Sequence, residues 1–229
     1  MSRRILHVVT NRGHSDDPGH STGLWLPELA HAWDIFEAEG HVQTIVSPAG
    51  GRSPVDPRAL KWPFLDVSTK GWLNDPSRVA LLEQTAAPAD IDPDTYDAIY
   101  FAGGHGAMWD FPDSIGLQAI TRHVWERGAI VSAVCHGYCG LLNTRLSDGK
   151  LLVANRHITG FSWAEETLAG VASRMPFDAE AEMKRRGALY DKALLPFVSH
   201  VVIDGQMVTG QNPRSAKETA RQVAGFLRN

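Results

Sequence analysis

The chain is expected to fold as an α/β protein, with a mainly parallel sheet sandwiched between helices. Three observations lead there. Short strand-like runs recur at 5–10, 41–47, 98–102 and 129–134, bounded by polar residues or glycine. Segments with helical spacing separate them, at 24–39, 77–85 and 114–127. A cysteine stands directly after the fourth run, in Ala133-Val134-Cys135-His136-Gly137, where the backbone must turn sharply from strand to helix. Strands that alternate with helices form a parallel sheet covered on both faces. Ligands of such sheets sit outside the carboxyl ends of the strands.

Each element has its own warrant. The run at 5–10 is mainly apolar, as a buried first strand requires. In 24–39 the apolar positions Leu26, Leu29, Ala30, Trp33 and Phe36 share one helix face, and Gly40 is the expected stop. Segment 50–74 is rich in proline and glycine without a period, which predicts a long loop or small excursion. Strand 98–102 ends in Gly103-Gly104-His105-Gly106, and helix 114–127 is stopped by Gly128. A helix should follow Gly137. Strand-like pieces fall within 150–161, and Ser162 with Glu165 forms a capping box. Segment 178–186 has acids in its first turn and bases in its last, which suits a helix dipole. Residues 201–208 read as a hairpin about Asp204-Gly205, and a last helix runs from Pro213 or Ser215 to Leu227. No linker, repeat or low-complexity tract divides the chain, so one domain is expected over 1–229.

Composition removes several function classes. The net charge of −4 and the absence of a basic run longer than Lys184-Arg185-Arg186 argue against a nucleic-acid partner. No apolar run approaches the roughly 20 residues that cross a bilayer, so no membrane partner is expected. The apolar stretch after Met1-Ser2-Arg3-Arg4 is too short for a secretory signal. Two cysteines four positions apart cannot build a disulfide framework. A cytoplasmic protein with reduced thiols is expected.

Cys135 is the leading catalytic candidate. A free cysteine is often a small buried apolar residue, but here rigid strand backing, His136 beside it and Gly137 after it make a nucleophile the better reading. The positive end of the following helix is expected to lower its pKa. Cys139, one turn later, reads as a core position rather than a resolving thiol. With no further ligand pair at metal spacing, the two cysteines make no zinc site. Gly103-Gly104 forms either a tight turn or, through the Gly104 N–H with that of His136, an oxyanion site. His105 lines the pocket or caps the next segment. Glu28, just after Pro27, reads on its own as a solvated helix-dipole partner. Trp25, Trp62, Phe64 and Trp72 either form exposed apolar surface or pack under the long loop.

Six segments together resemble the ThiJ/PfpI superfamily, whose flavodoxin-like fold is that of class I glutamine amidotransferases. They are Thr22-Gly23-Leu24-Trp25-Leu26-Pro27-Glu28, Ser47-Pro48-Ala49-Gly50-Gly51, Ala102-Gly103-Gly104-His105-Gly106, Ala133-Val134-Cys135-His136-Gly137, Ile158-Thr159-Gly160-Phe161-Ser162 and Val208-Thr209-Gly210-Gln211-Asn212-Pro213. Within it the chain is most similar to the class of glutathione-independent glyoxalases and related heat-shock chaperones. The resemblance implies Cys135 as nucleophile, His136 as base, Glu28 as a proton shuttle and Glu166 as the third triad member, with Glu165 the competitor. It implies turnover of methylglyoxal or another 2-oxoaldehyde to a 2-hydroxy acid without metal or organic cofactor, and a homodimer. Hydrolysis of an amide or removal of glycation adducts from proteins by the same thiol, and holding of unfolded proteins, are the alternatives. Tyr138 and Cys139 depart from the family pattern of proline and small residues, and Tyr138 is expected to narrow the pocket mouth or bond substrate.

Overall fold

The computed structural model describes residues 2–17 and 19–228. Its main sheet has six strands. They are β1 (Arg4–Val8), β2 (Val42–Val46), β3 (Ala98–Phe101), β4 (Ile130–Val134), β7 (Val201–Asp204) and β8 (Met207–Gly210), in the order β2-β1-β3-β4-β8-β7. All neighbours pair in parallel except the edge hairpin of β7 with β8, which turns at Asp204-Gly205. Register pairs Ile5 with Ala98 and Ala98 with Ile130, so β1, β3 and β4 end side by side.

Side chains alternate across each strand and feed two cores. Ile5, Tyr100 and Val134 join the core beneath α1 (Leu26–Ala38) and α8 (Ala216–Leu227). Leu6, Phe101 and Ala133 join the opposite core beneath α5 (Ile115–Glu126). Helix α1 buries Leu26, Leu29, Ala30, Trp33 and Phe36, the stripe its spacing predicted. It also buries Glu28 in its first turn, where a surface acid was the plain expectation. The sheet sandwiched by helices is the fold class expected.

Three segments differ from expectation. Segment 50–74 is not wholly irregular, since it holds a 3₁₀ turn (Pro57–Leu60) and helix α2 (Val67–Asn74), followed by α3 (Pro76–Glu83). Asp66 caps α2 by accepting from the Thr69 N–H, and fully buried Trp72 anchors the helix edge-on against Trp33 at 5.2 Å. A short helix, α4 (Ala107–Asp110), follows Gly106. After β4 the chain enters a 3₁₀ helix, Cys135–Leu141, that begins at the cysteine itself rather than after Gly137.

Past this turn lie a two-stranded parallel sheet of β5 (His157–Ile158) with β6 (Leu189–Tyr190), α6 (Trp163–Leu168) and α7 (Ala179–Arg185). Of the four aromatics weighed as exposed surface, Trp72 and Trp25 are buried, Phe64 rests on Trp25 at 5.0 Å, and Trp62 is exposed. Replacing Trp72 with alanine should cost about 3–5 kcal/mol in urea unfolding, because it empties the contact holding α2 to α1. A cost below about 1 kcal/mol would show that this excursion is not secured by its tryptophan.

Candidate active site

Two adjacent strand ends, those of β3 and β4, carry the turns of the site. After β4, Cys135 adopts φ 54°, a left-handed conformation that is strained for a residue with a side chain. The strain is held because the turn is packed from below. A Cβ on Gly137 would lie 2.2 Å from the Phe101 carbonyl oxygen, and one on Gly140 would lie 2.4 Å from the Phe101 ring. After β3, a Cβ on Gly103 would lie 2.7 Å from the His136 nitrogen, so the β3 and β4 turns are in direct contact. Gly104, with φ 112°, brings its backbone against Gly23 and Trp25, where a Cβ would lie 2.2 Å from the Gly23 carbonyl oxygen. Only glycine fits there.

Glu28, Cys135, His136 and Glu166 come together around the sulfur. Glu28 Oε2 accepts from the Gly103 N–H at 2.7 Å. Its Oε1 makes no well-formed hydrogen bond, and the Cys135 thiol is the group beside it that influences its titration. Burial pushes the Glu28 carboxyl up to about 8, against the pull of the Gly103 N–H and the thiol. At neutral pH it is a neutral acid. Burial also pushes the Cys135 thiol well above its ordinary value, and the neighbouring Glu28 adds to this. The expected lowering by a helix end does not occur. A single 3₁₀ segment opposes burial with little more than the His136 N–H, while carboxyl groups lie to either side.

His136 Nδ1 lies 3.3 Å from Cys135 Sγ, and its Nε2 contacts Glu166 Oε1. Glu166 Oε2 lies 3.1 Å from His105 Nε2. Burial would raise the Glu166 carboxyl, but the neighbouring His136 and the hydrogen bonds of both histidines outweigh it and hold Glu166 far below the usual carboxylate range. It is therefore ionised and can only accept, so both Nε2 atoms carry protons. A neutral His136 then presents a bare Nδ1 to the thiol. Glu165 is occupied elsewhere: it closes the capping box with Ser162 and accepts from Asn212 and the Phe197 N–H. Glu166, and not Glu165, is the carboxylate that contacts His136.

The two residues that break the family pattern prove structural. Tyr138 is fully buried, donates to the Phe161 carbonyl at 3.0 Å and packs beneath Gly160, so it neither lines the pocket nor reaches substrate. Cys139 is a core residue whose thiol burial pushes far up, as its helical position suggested.

Cys135, His136, His105 and Gly104 line a cavity of about 460 Å³ walled by Trp25, Phe64, Phe161 and Phe197. The nitrogens and carboxylate of His105, His136 and Glu166 lie within 4.8 Å of one another, a spacing that a metal ion could span. Their mutual hydrogen bonds account for that closeness without one. Two neighbours escaped the sequence reading. Arg58 donates to His105 Nδ1 at 2.9 Å, and buried Asp56 grips Arg58 through two bonds of 2.6 and 3.0 Å.

Residues 26–225 match the model of the DJ-1/PfpI family. The chain belongs to that family. Among its relatives is "Glyoxalase 3" of Candida albicans, 33% identical over 97% of either chain. Another is the "Glutathione-independent glyoxalase HSP31" of Saccharomyces cerevisiae, 31% identical over 99% of either chain. In three dimensions it is similar to the Rapid Encystment Protein 24 KDa of Francisella tularensis, with a TM-score of 0.94 and 31% identity, covering 99% of this chain and all of that one. The resemblance drawn from the six segments thus holds along nearly the whole DJ-1/PfpI chain. Among the described residues no helix is long and apolar enough to cross a membrane.

Proposed function

We propose that this protein is a glutathione-independent glyoxalase that converts methylglyoxal or a related 2-oxoaldehyde into a 2-hydroxy acid. The observation that carries the reading is one thiol flanked by two different proton carriers: Glu28, kept protonated by burial, on one side and His136 Nδ1, 3.3 Å from the sulfur, on the other. An isomerisation that moves hydrogen between adjacent carbons needs both.

The steps balance. Cys135 Sγ bonds the aldehyde carbon as His136 Nδ1 takes the thiol proton and Glu28 protonates the aldehyde oxygen, giving a hemithioacetal. The Glu28 carboxylate then removes the C–H proton of that carbon, and His136 returns its proton to the neighbouring carbonyl oxygen, giving an enediol. Glu28 delivers its proton to the second carbon and takes back the hydroxyl proton as the thioester forms. Water adds to the thioester, its hydroxyl going to carbon and its remaining proton to sulfur. The aldehyde carbon is oxidised, its neighbour is reduced, and no external oxidant enters. Glu166 fixes the His136 tautomer throughout, and the N–H groups of Gly104 and His136 face the oxyanion.

The chemistry requires Cys135 as a free thiol, which suits a reducing cytoplasm. A homodimer completes the reading, and sedimentation at micromolar protein tests it. The deciding assay follows methylglyoxal loss and lactate appearance in one tube without glutathione. Equal amounts of both are expected, and no consumption by protein with a titratable Cys135 thiol would sink the reading.

A further inference from the structure

We infer that Arg58, gripped by Asp56, is a positioning residue that fixes the proton arrangement of the His105–Glu166–His136 network through its contact with His105 Nδ1. The inference rests on the glyoxalase reading for its kinetic consequence, but not for its structural content.

The contacts leave one self-consistent assignment. A guanidinium has donors and no acceptor, so the His105 nitrogen that meets it must offer a lone pair. The His105 proton is then confined to Nε2, where it donates to Glu166 Oε2 at 3.1 Å. Glu166 keeps Oε1 for His136, and His136 Nδ1 stays bare toward Cys135 Sγ. Six residues from four separate parts of the chain form one line, Asp56–Arg58–His105–Glu166–His136–Cys135. Asp56 makes the arrangement rigid, because it is fully buried and holds both Arg58 Nε and an Nη in a planar fork.

Arg58 also opposes a positive charge on His105. The titratable groups touching His105 are Arg58, Glu166 and His136. Cys135 lies beyond His136, with Glu28 behind it, and Asp56 stands behind Arg58. Arg174 and His20 line a small cavity of about 140 Å³ on the other side, which His105 and Arg58 share. Burial first, and then the neighbouring His136 and the charge of Arg58, hold His105 below its ordinary value, against the pull of Glu166. With Arg58 removed, Nδ1 is open to a proton and the charge opposing it is gone. His105 can then become an imidazolium paired to Glu166. That draws the carboxylate away from His136, and the base facing the thiol weakens as pH falls.

The test uses whole protein labelled with ¹⁵N in its imidazoles, together with Arg58→Met and Arg58→Lys. In the wild type, long-range ¹⁵N–¹H spectra should show His105 neutral, protonated at Nε2 and bare at Nδ1, from about pH 6 to 9. In Arg58→Met the His105 titration should move up by about one unit. The kcat/KM for methylglyoxal should fall about tenfold near pH 6 and by less than about threefold near pH 9, through kcat rather than KM. Arg58→Lys, which keeps one donor and the charge, should restore most of the loss. A wild-type His105 protonated at Nδ1 would overturn the inference even if the variants failed to fold. A loss that is uniform with pH, or one carried by KM alone, would overturn it too. The spectra need no substrate, so failure of the glyoxalase reading leaves them decisive on Arg58.

Discussion

Cys135→Ala is expected to lower turnover of methylglyoxal by at least about ten-thousand-fold, to the level of buffer, while the protein stays folded. The sulfur forms the bond that holds the substrate during hydrogen transfer, and among the described residues no other thiol and no hydroxyl lines the cavity. Cys139 is buried in the opposite core, and burial pushes its thiol up as well. Alanine keeps the Cβ and removes only the sulfur, so circular dichroism and the denaturation midpoint should change little. Cys135→Ser should be almost as inactive, because a hydroxyl is the weaker nucleophile and its proton is harder to remove. Residual turnover above about one percent in folded Cys135→Ala would remove the covalent step from the mechanism.

The raised thiol is compatible with this role. A standing thiolate beside a buried carboxylate would place two negative charges together away from water. The site avoids that by keeping Cys135 as thiol and Glu28 as acid until substrate arrives. The proton leaves Sγ for His136 as the carbon–sulfur bond forms, while Glu28 neutralises the new oxygen charge. Sulfur is activated at the moment of attack, and the resting enzyme should alkylate slowly at neutral pH.

The parts of this arrangement that local rules govern were legible in the sequence. Strands 98–102 and 129–134 are apolar but for Ser132 because both faces of the sheet are covered, and the elbow is written in consecutive residues around Cys135. The capping box at Ser162 was legible too, and it engages Glu165 with its own helix start. Glu28 was different, since a glutamate early in a helix looks solvated and only the six-segment resemblance marked it as catalytic. Its burial comes from the Gly103 N–H, seventy-five positions away. Asp56 and Arg58 stood in a segment without a period, where paired charges read as solvated. Nothing in 50–74 indicates that the chain folds back over His105. The α2 cap at Asp66 was the one readable signal there, and the surrounding prolines and glycines masked it. The thiol shift was misjudged because helix character was assumed after Gly137, whereas burial of the sulfur is a tertiary property.

Glu28→Gln separates the two jobs that one carboxyl performs. Glutamine keeps the size and the acceptor for the Gly103 N–H but carries no transferable proton, so kcat/KM should drop about a hundred- to ten-thousand-fold. The same change should make Cys135 more reactive. Wild-type Glu28 loses its proton near pH 8, and above that its charge opposes the thiolate. The variant lacks this charge, so iodoacetamide should alkylate its Cys135 faster than wild type above pH 8 even as turnover collapses. Stability follows the same group. Its folded-state value of about 8 lies above its ordinary 4.5, so between these the native state holds a proton that the unfolded chain has lost. The contribution of Glu28 is complete below about pH 4.5, declines through the window and is gone above pH 8. Glu28→Gln should flatten that decline and unfold at higher temperature than wild type at about pH 9. Slower alkylation in the variant, or an unchanged pH dependence of its melting, would place the proton on some group other than Glu28. Collapsed turnover together with faster alkylation would show that Glu28 restrains the same thiol it serves.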